Sequence, residues 1–274
     1  MSITCTFPGR YGDLLWALPT MRALAEASGD PVDLIISGKY GSIAPLIQTQ
    51  PYIGSVQVLR EWEVQETAPI QPNFPPLDLA DGLRPVIHLG YPGWPDRPLP
   101  EYIWKIAKLQ YPTIAPLDLD KPWITVPSSP GPPHRVLVVG FSDEWFELKY
   151  GIAYLLDSAL GNDPQGNPQL TLWPSSYEGG RWHREGGLPP CSWVETSHVI
   201  NASDVFLGCC SALHVLACAL GKKIVLMEPN EHRWNDIFYP YGKTGRVTLV
   251  LGNDGRPTFD ARHVRDAIQK ALGE

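Results

Sequence analysis

The chain has 274 residues, 43% of them hydrophobic and 19% charged, enough apolar material for one large or two ordinary domains and too much for global disorder. Its formal charge is 22 − 29 = −7, so the molecule as a whole has no electrostatic pull toward nucleic acid or an anionic membrane. The five cysteines are odd in number, with Cys209 and Cys210 adjacent, and read as reduced, buried thiols rather than a disulfide frame; no Cys/His cluster has zinc spacing. The opening MSITCTFPGR lacks the charged and apolar regions of a signal peptide, and no run reaches the roughly 18 apolar residues of a membrane span, which predicts a cytoplasmic protein.

The first predicted strand is Ile3–Phe7, and the stretch FPGRYGDLLWALP follows it directly. Leu14, Leu18, Met21 and Ala25 fall on one helical face, so a helix opens at about Gly12-Asp13. Pro19 lies inside that pattern and predicts a bend. Asp13 has two readings that the residues leave open. It is an N-cap for the helix, or a carboxylate aimed at a substrate. Further strands are expected at Val32–Ser37, Val56–Leu59 and Val86–Leu89. Residues 68 to 100 are proline-rich and read as a long surface loop. A helical pattern at Ile103, Ile106, Ala107 and Tyr111 leads to a strand at Trp123–Val126.

Pro127-Ser-Ser-Pro-Gly-Pro-Pro133 then reads as a semi-rigid spacer. It divides the chain into residues 1–127 and 134–274. Beyond it, strands are predicted at Val136–Val139, Gln169–Leu172, Val205–Leu207, Lys223–Met227 and Thr248–Leu251. Helical spacing appears at Leu213, Leu216, Ala217 and Leu220, and again from Asp260 to Leu272, a final helix expected to pack back on the first half. Strand–helix alternation throughout argues for parallel sheets with crossover helices. In NASDVFLGCCSALHVLACALGKKIVLMEP, Asn201 to Pro229, the turn Gly208–Ser211 would lie at a strand's carboxyl end, where α/β sheets bind ligands. The amino end of the next helix would offer the N–H groups of Ser211, Ala212 and Leu213 to a phosphate. The plainer reading is a βαβ turn that needs small residues for close packing.

Taken together, Gly12-Asp13-Leu14-Leu15-x-x-x-Pro19 early and Ser211-x-x-His214-Val-Leu-Ala-Cys-Ala-Leu-Gly221 late resemble the heptosyltransferase-type glycosyltransferases, family 9. That resemblance implies the GT-B arrangement: two Rossmann-like domains facing a cleft, acceptor in the N-terminal one, nucleotide sugar in the C-terminal one. It implies metal-independent transfer of a sugar from a nucleotide-diphosphate sugar with inversion, Asp13 as general base, and no cofactor beyond that co-substrate. A helix amino end favours an ionised carboxylate, as a base requires. The sequence departs from the family where an acidic residue is usual five positions before the histidine; here it is Cys209.

The donor-side candidates are Arg10, Gly12, Ser142, Lys149, Cys210, Ser211, Ala212, Leu213, His214 and Glu228, with Lys222 and Arg233 as further cations for the leaving group. Each cation alone is more often a solvated surface charge. His214 is a phosphate or ribose contact or a packing histidine, and Glu228 a ribose ligand or an exposed loop acid. His88, Tyr91 and Trp94, with Tyr102 and Trp104 nearby, are acceptor-side candidates because aromatic faces stack on sugars and on bases. Arg181-Trp-His-Arg184 is a basic aromatic patch of undecided role. The acceptor is a glycan or, alternatively, a modified base in DNA. A nucleotide-sugar epimerase of the same fold and a non-catalytic nucleotide-sugar binder are two further functions open to such a chain.

Overall fold

The structure is a computed structural model. It describes residues 2–62, 85–90, 93, 95–127, 134–139, 170–173, 192–228, 246–252 and 259–273. They belong to two compact units, the first reaching Thr125 and the second beginning at Val126.

The first unit is built on four strands: β1 (Thr4–Phe7), β2 (Val32–Ser37), β3 (Ile53–Leu59) and β4 (Val86–His88). All pairs are parallel and the order is β3-β2-β1-β4, so the chain reverses its direction of travel across the sheet between β1 and β4. Such a reversal leaves a crevice outside the carboxyl ends of the two strands. Helix α1 (Tyr11–Ser28) connects β1 to β2 and ends on Gly29, whose φ of 78° is the left-handed conformation that helix ends reserve for glycine. A 3-10 stretch, Gly38–Ile43, and the short α2 (Ala44–Gln48) lead into β3; α3 (Leu99–Gln110) follows β4.

α1 is buried without interruption from Leu14 to Met21, not merely along a stripe. It runs through Pro19 as one helix. Proline has no N–H for the carbonyl four residues back, which is that of Leu15. The Trp123 indole N–H donates to the Leu15 carbonyl instead, at 3.1 Å, and the Trp123 ring packs 5.4 Å from that of Trp16. The segment around Trp123 is therefore a strap over α1 and not the expected strand. Arg22 donates to the carbonyls of Asp118 and Pro122, Tyr52 to the carbonyl of Trp123. The Gln50 side chain accepts from Thr125 N–H and donates to its carbonyl. A segment whose backbone groups are taken up by side chains has no need of a ladder partner.

The second unit has five parallel strands: β5 (His134–Val139), β6 (Leu170–Trp173), β7 (Ser203–Gly208), β8 (Lys223–Glu228) and β9 (Val247–Leu251), in the order β6-β5-β7-β8-β9. The helices are α4 (Trp193–Ala202), α5 (Ala212–Ala219) and α6 (Ala261–Leu272). Sequence periodicity did not reveal α4. Ser192 and Glu195 close a capping box at its start, with Glu195 N–H donating to Ser192 Oγ and Ser192 N–H to Glu195 Oε2. α6 begins after Asp260, whose carboxylate caps it, and sets Val264 and Ile268 against Val205, Leu207, Val225 and Met227 of its own unit's sheet. Alternate residues Phe206, Ile224 and Leu226 are buried on the other face, as strands covered on both sides require.

The described cysteines Cys5, Cys209, Cys210 and Cys218 are free thiols. Burial pushes the Cys5 thiol well up, so it is a small core hydrophobe and no nucleophile. Among the described residues no helix is long and apolar enough to cross a membrane.

Candidate functional site

In the first unit the turn from β1 into α1 holds the early motif. Gly9 is closed in: a Cβ there would lie 2.9 Å from Cζ of Phe7 and 3.2 Å from Cβ of Asp13, so only glycine lets the chain pass. Arg10 is the N-cap and is exposed; its carbonyl accepts from Leu14 N–H at 2.8 Å. Asp13 is three residues further, in the first turn. That corrects the N-cap reading: the N-cap is Arg10, and Asp13, partly buried, lies in the first turn at the positive end of α1.

The end of β2 brings a neighbour that the sequence did not announce. Tyr40 packs its ring edge-on against Tyr11, with centroids 5.1 Å apart, and Tyr11 shares a 2.8 Å hydrogen bond with Ser42. Burial raises the Tyr40 hydroxyl's pKa, Arg10 opposes that, and Asp13 adds to it, so all three groups share one electrostatic neighbourhood. Two tyrosines 29 positions apart carry no spacing signal; only the parallel β1–β2 register joins them.

His88 ends β4, in register with Thr6 of β1, and its Nδ1 lies 2.7 Å from Thr6 Oγ1. The Gln110 side chain accepts from His88 N–H and donates to His88 carbonyl, which satisfies the outer edge of β4. Burial lowers the half-buried ring's pKa. His88 therefore flanks the crevice at the carboxyl ends of β1 and β4. Of the other acceptor-side candidates, Tyr91 and Trp94 lie outside the described residues. Trp104 donates to the Ala115 carbonyl and carries Lys108 over its ring at 4.7 Å, which is packing on the strap's approach.

The second unit repeats the local design. Gly208 follows Phe206 by two residues at the end of β7, as Gly9 follows Phe7 just beyond β1, and a Cβ on Gly208 would come within 2.8 Å of the Phe206 ring. Ser211 is the N-cap of α5 and its hydroxyl accepts from His214 N–H at 3.4 Å. Cys210 N–H donates to Glu228 Oε1 at 2.8 Å. Glu228, at the carboxyl end of β8 and 7% exposed, is thus a buried brace for the turn, not an exposed loop acid. With those two amides engaged, the N–H groups of Ser211, Ala212 and Leu213 are the ones a first helical turn cannot satisfy internally. Gly221, at φ 74°, ends α5, which explains the last residue of the late motif as a helix stop.

His214 is 1% exposed, and its Nε2 is 3.4 Å from Cys218 Sγ. Burial drops its pKa to about 3, so the ring is neutral and packed in the helix interface. Lys222 precedes β8 at the amino edge of the parallel sheet, where Nζ donates to Asn201 carbonyl at 2.6 Å. The turn Gly208–Ser211 is at the carboxyl edge, so Lys222 is on the wrong side to meet a phosphate there. Ser142, Lys149, Arg181-Trp-His-Arg184 and Arg233 lie outside the described residues. Among the described residues no three His, Cys, Asp or Glu side chains are grouped as a metal would need.

No protein-family model matches the chain, and no curated protein matches it significantly. Solved structures do. A glycosyl transferase family 9 protein from Veillonella parvula superposes with a TM-score of 0.67 over 99% of this chain and 97% of its own, at 11% identity. The E. coli heptosyltransferase WaaC, solved with ADP-2-deoxy-2-fluoro heptose, gives 0.66 over 98% and 99%, at 12% identity. E. coli ADP-heptose LPS heptosyltransferase II gives 0.65 over 99% and 98%, also at 12% identity. The chain shares the fold of these proteins along essentially its whole length. At such identities the likeness is one of architecture, and it agrees with the resemblance carried by the two motifs.

Proposed function

We propose that this protein is a glycosyltransferase that moves a sugar from a nucleoside-diphosphate donor to an acceptor hydroxyl with inversion. The observation that carries the reading is the coincidence of a whole-length heptosyltransferase fold with a carboxylate, that of Asp13, in the first turn of α1. As proposed, the first unit binds the acceptor and the second the donor, with transfer in a cleft between them.

Asp13 takes the proton of the acceptor hydroxyl as that oxygen attacks the anomeric carbon. The bond from anomeric carbon to diphosphate oxygen breaks, and the nucleoside diphosphate leaves with the electron pair. The Ser211, Ala212 and Leu213 amides at the positive end of α5 stabilise the charge that gathers on it, with Arg10 as an added cation. Gly12 keeps the approach to Asp13 clear. Glu228 braces the turn and offers its remaining lone pairs to ribose. The buried His214 takes no direct part, and the reaction as proposed needs no metal ion.

Nucleotide binding and chemistry are tested separately. ADP, GDP, UDP and CDP are screened by thermal shift; a ligand at 100 times its dissociation constant adds ~2.7 kcal/mol. A panel of nucleotide sugars is then assayed for donor hydrolysis and transfer, with and without chelator. Asp13→Asn is expected to keep nucleotide binding and to lose about 10²–10⁴ in rate. The reading fails if no nucleoside diphosphate binds, or if Asp13→Asn turns over like the wild type. Binding with no turnover by any pair would favour a nucleotide-sugar binder.

A further inference from the structure

We propose that a hollow at the amino edge of the second sheet is a binding site for a phosphomonoester, with Lys222 and Lys223 as the cations that hold its phosphate. The hollow has a volume of about 400 Å³, within the range of small-molecule sites. Ser203 and Asp204 at the start of β7, Lys222 and Lys223 leading into β8, and Ala271 and Leu272 at the end of α6 line it. Both cations have donors left for a ligand. An ammonium carries three protons. Among the described residues, Lys222 Nζ gives one of them, to the Asn201 carbonyl at 2.6 Å, and the exposed Lys223 Nζ makes no hydrogen bond or ion pair. Burial lowers the pKa of the half-buried Lys222, and Asp204 opposes that shift. A charge that burial disfavours is stabilised more by an anion brought alongside than a fully solvated one is.

Strand alternation sorts the lining charges. Lys223 falls on the face of β8 that carries Val225 and Met227, and Ser203 on the face of β7 that carries Val205 and Leu207, the face against which α6 packs. Asp204 falls on the opposite face with Phe206, so its carboxylate does not share the α6 side with Lys223. At the end of α6, Gly273 N–H donates to the carbonyls of Gln269 and Lys270, which weakens the negative pole that would repel a phosphate. Ala271 and Leu272 add an apolar wall, and with the volume they favour a phosphate carried on a short organic body over a bare ion. The hollow and the turn Gly208–Ser211 are at opposite edges of one parallel sheet, so this site is separate from the proposed donor site.

The test follows the backbone amide NMR signals of the full chain, labelled with 15N, during titration with glycerol 3-phosphate and, separately, with glycerol. Glycerol 3-phosphate should shift the amides of Lys222, Lys223, Ala271 and Leu272 saturably, and glycerol should not. Lys223→Met should weaken that binding about tenfold, one charge-assisted hydrogen bond's worth, and Lys222→Met combined with Lys223→Met should abolish it. No saturable shift of those amides up to about 10 mM ligand, equal shifts with glycerol, or unchanged affinity in Lys223→Met overturns the proposal. If the double variant does not fold, Lys223→Met decides alone. A nucleoside diphosphate bound as the transferase reading requires would shift the amides of Cys210 to Leu213 instead, so failure of one reading is seen apart from failure of the other.

Discussion

Replacing Trp123 by phenylalanine probes how a proline survives in the middle of α1. The Leu15 carbonyl has lost its helical donor to Pro19 and relies on the Trp123 indole N–H at 3.1 Å. Trp123→Phe keeps a ring in the site and strands that carbonyl, at about 1–3 kcal/mol. The smaller ring forfeits about 1 kcal/mol of burial more, so the first unit should lose about 2–4 kcal/mol in all. In a Pro19→Ala background the residue 19 N–H returns to the Leu15 carbonyl, and Trp123→Phe should then cost only the burial loss. The coupling between the two substitutions is thus expected at about 1–3 kcal/mol. Native-state hydrogen exchange of the β1 and β2 amides in the four proteins measures it, because those amides report on the first unit alone. Additive effects, within about 0.5 kcal/mol, would refute the idea that Trp123 replaces the missing helical donor.

Gly9→Ala and Gly208→Ala should each destabilise their unit by about 1–3 kcal/mol, since a new Cβ meets the ring of Phe7 or Phe206; denaturant unfolding checks this. Glu228→Ala should cost about 1.5–3 kcal/mol by removing the charged acceptor of Cys210 N–H, and Glu228→Gln less, because an amide oxygen still accepts. His214 adds a pH dependence. Burial lowers its folded pKa to about 3, so below the unfolded value of about 6.5 the unfolded chain binds the extra proton. Stability should fall with falling pH at up to ~1.4 kcal/mol per unit through that window, and His214→Gln should flatten the slope. Asp13→Asn should lower stability by no more than about 1 kcal/mol, the charge–dipole contribution, although activity collapses.

The strands were legible because each is a short β-branched run closed by Gly, Pro or Asp. Val32–Ser37 is found as read, and most others differ by one or two residues. The strand expected at Trp123–Val126 failed because burial of an apolar run does not require a ladder: Gln50, Tyr52 and Arg22, distant in sequence, supply its hydrogen bonds. α4 was written in Ser192 and Glu195, a capping signature that a search for apolar periodicity passes over. At the site, glycines and the first-turn aspartate could be found from local spacing. Tyr40 and the Thr6–His88 pair could not, since they meet only when parallel strands set the register. The burial of His214 fits the packing alternative that the sequence left open, and Lys222 lies at the far rim of its sheet.

Gln50 grips the main chain of Thr125 at both its amide and its carbonyl, at the last described residue of the first unit. Anyone dissecting the two halves must respect that clasp. A piece ending after residue 127 keeps the clasp, the tryptophan lid and the arginine tie together. One that stops short of residue 122 uncaps the proline helix and bares the indole of Trp16 to water.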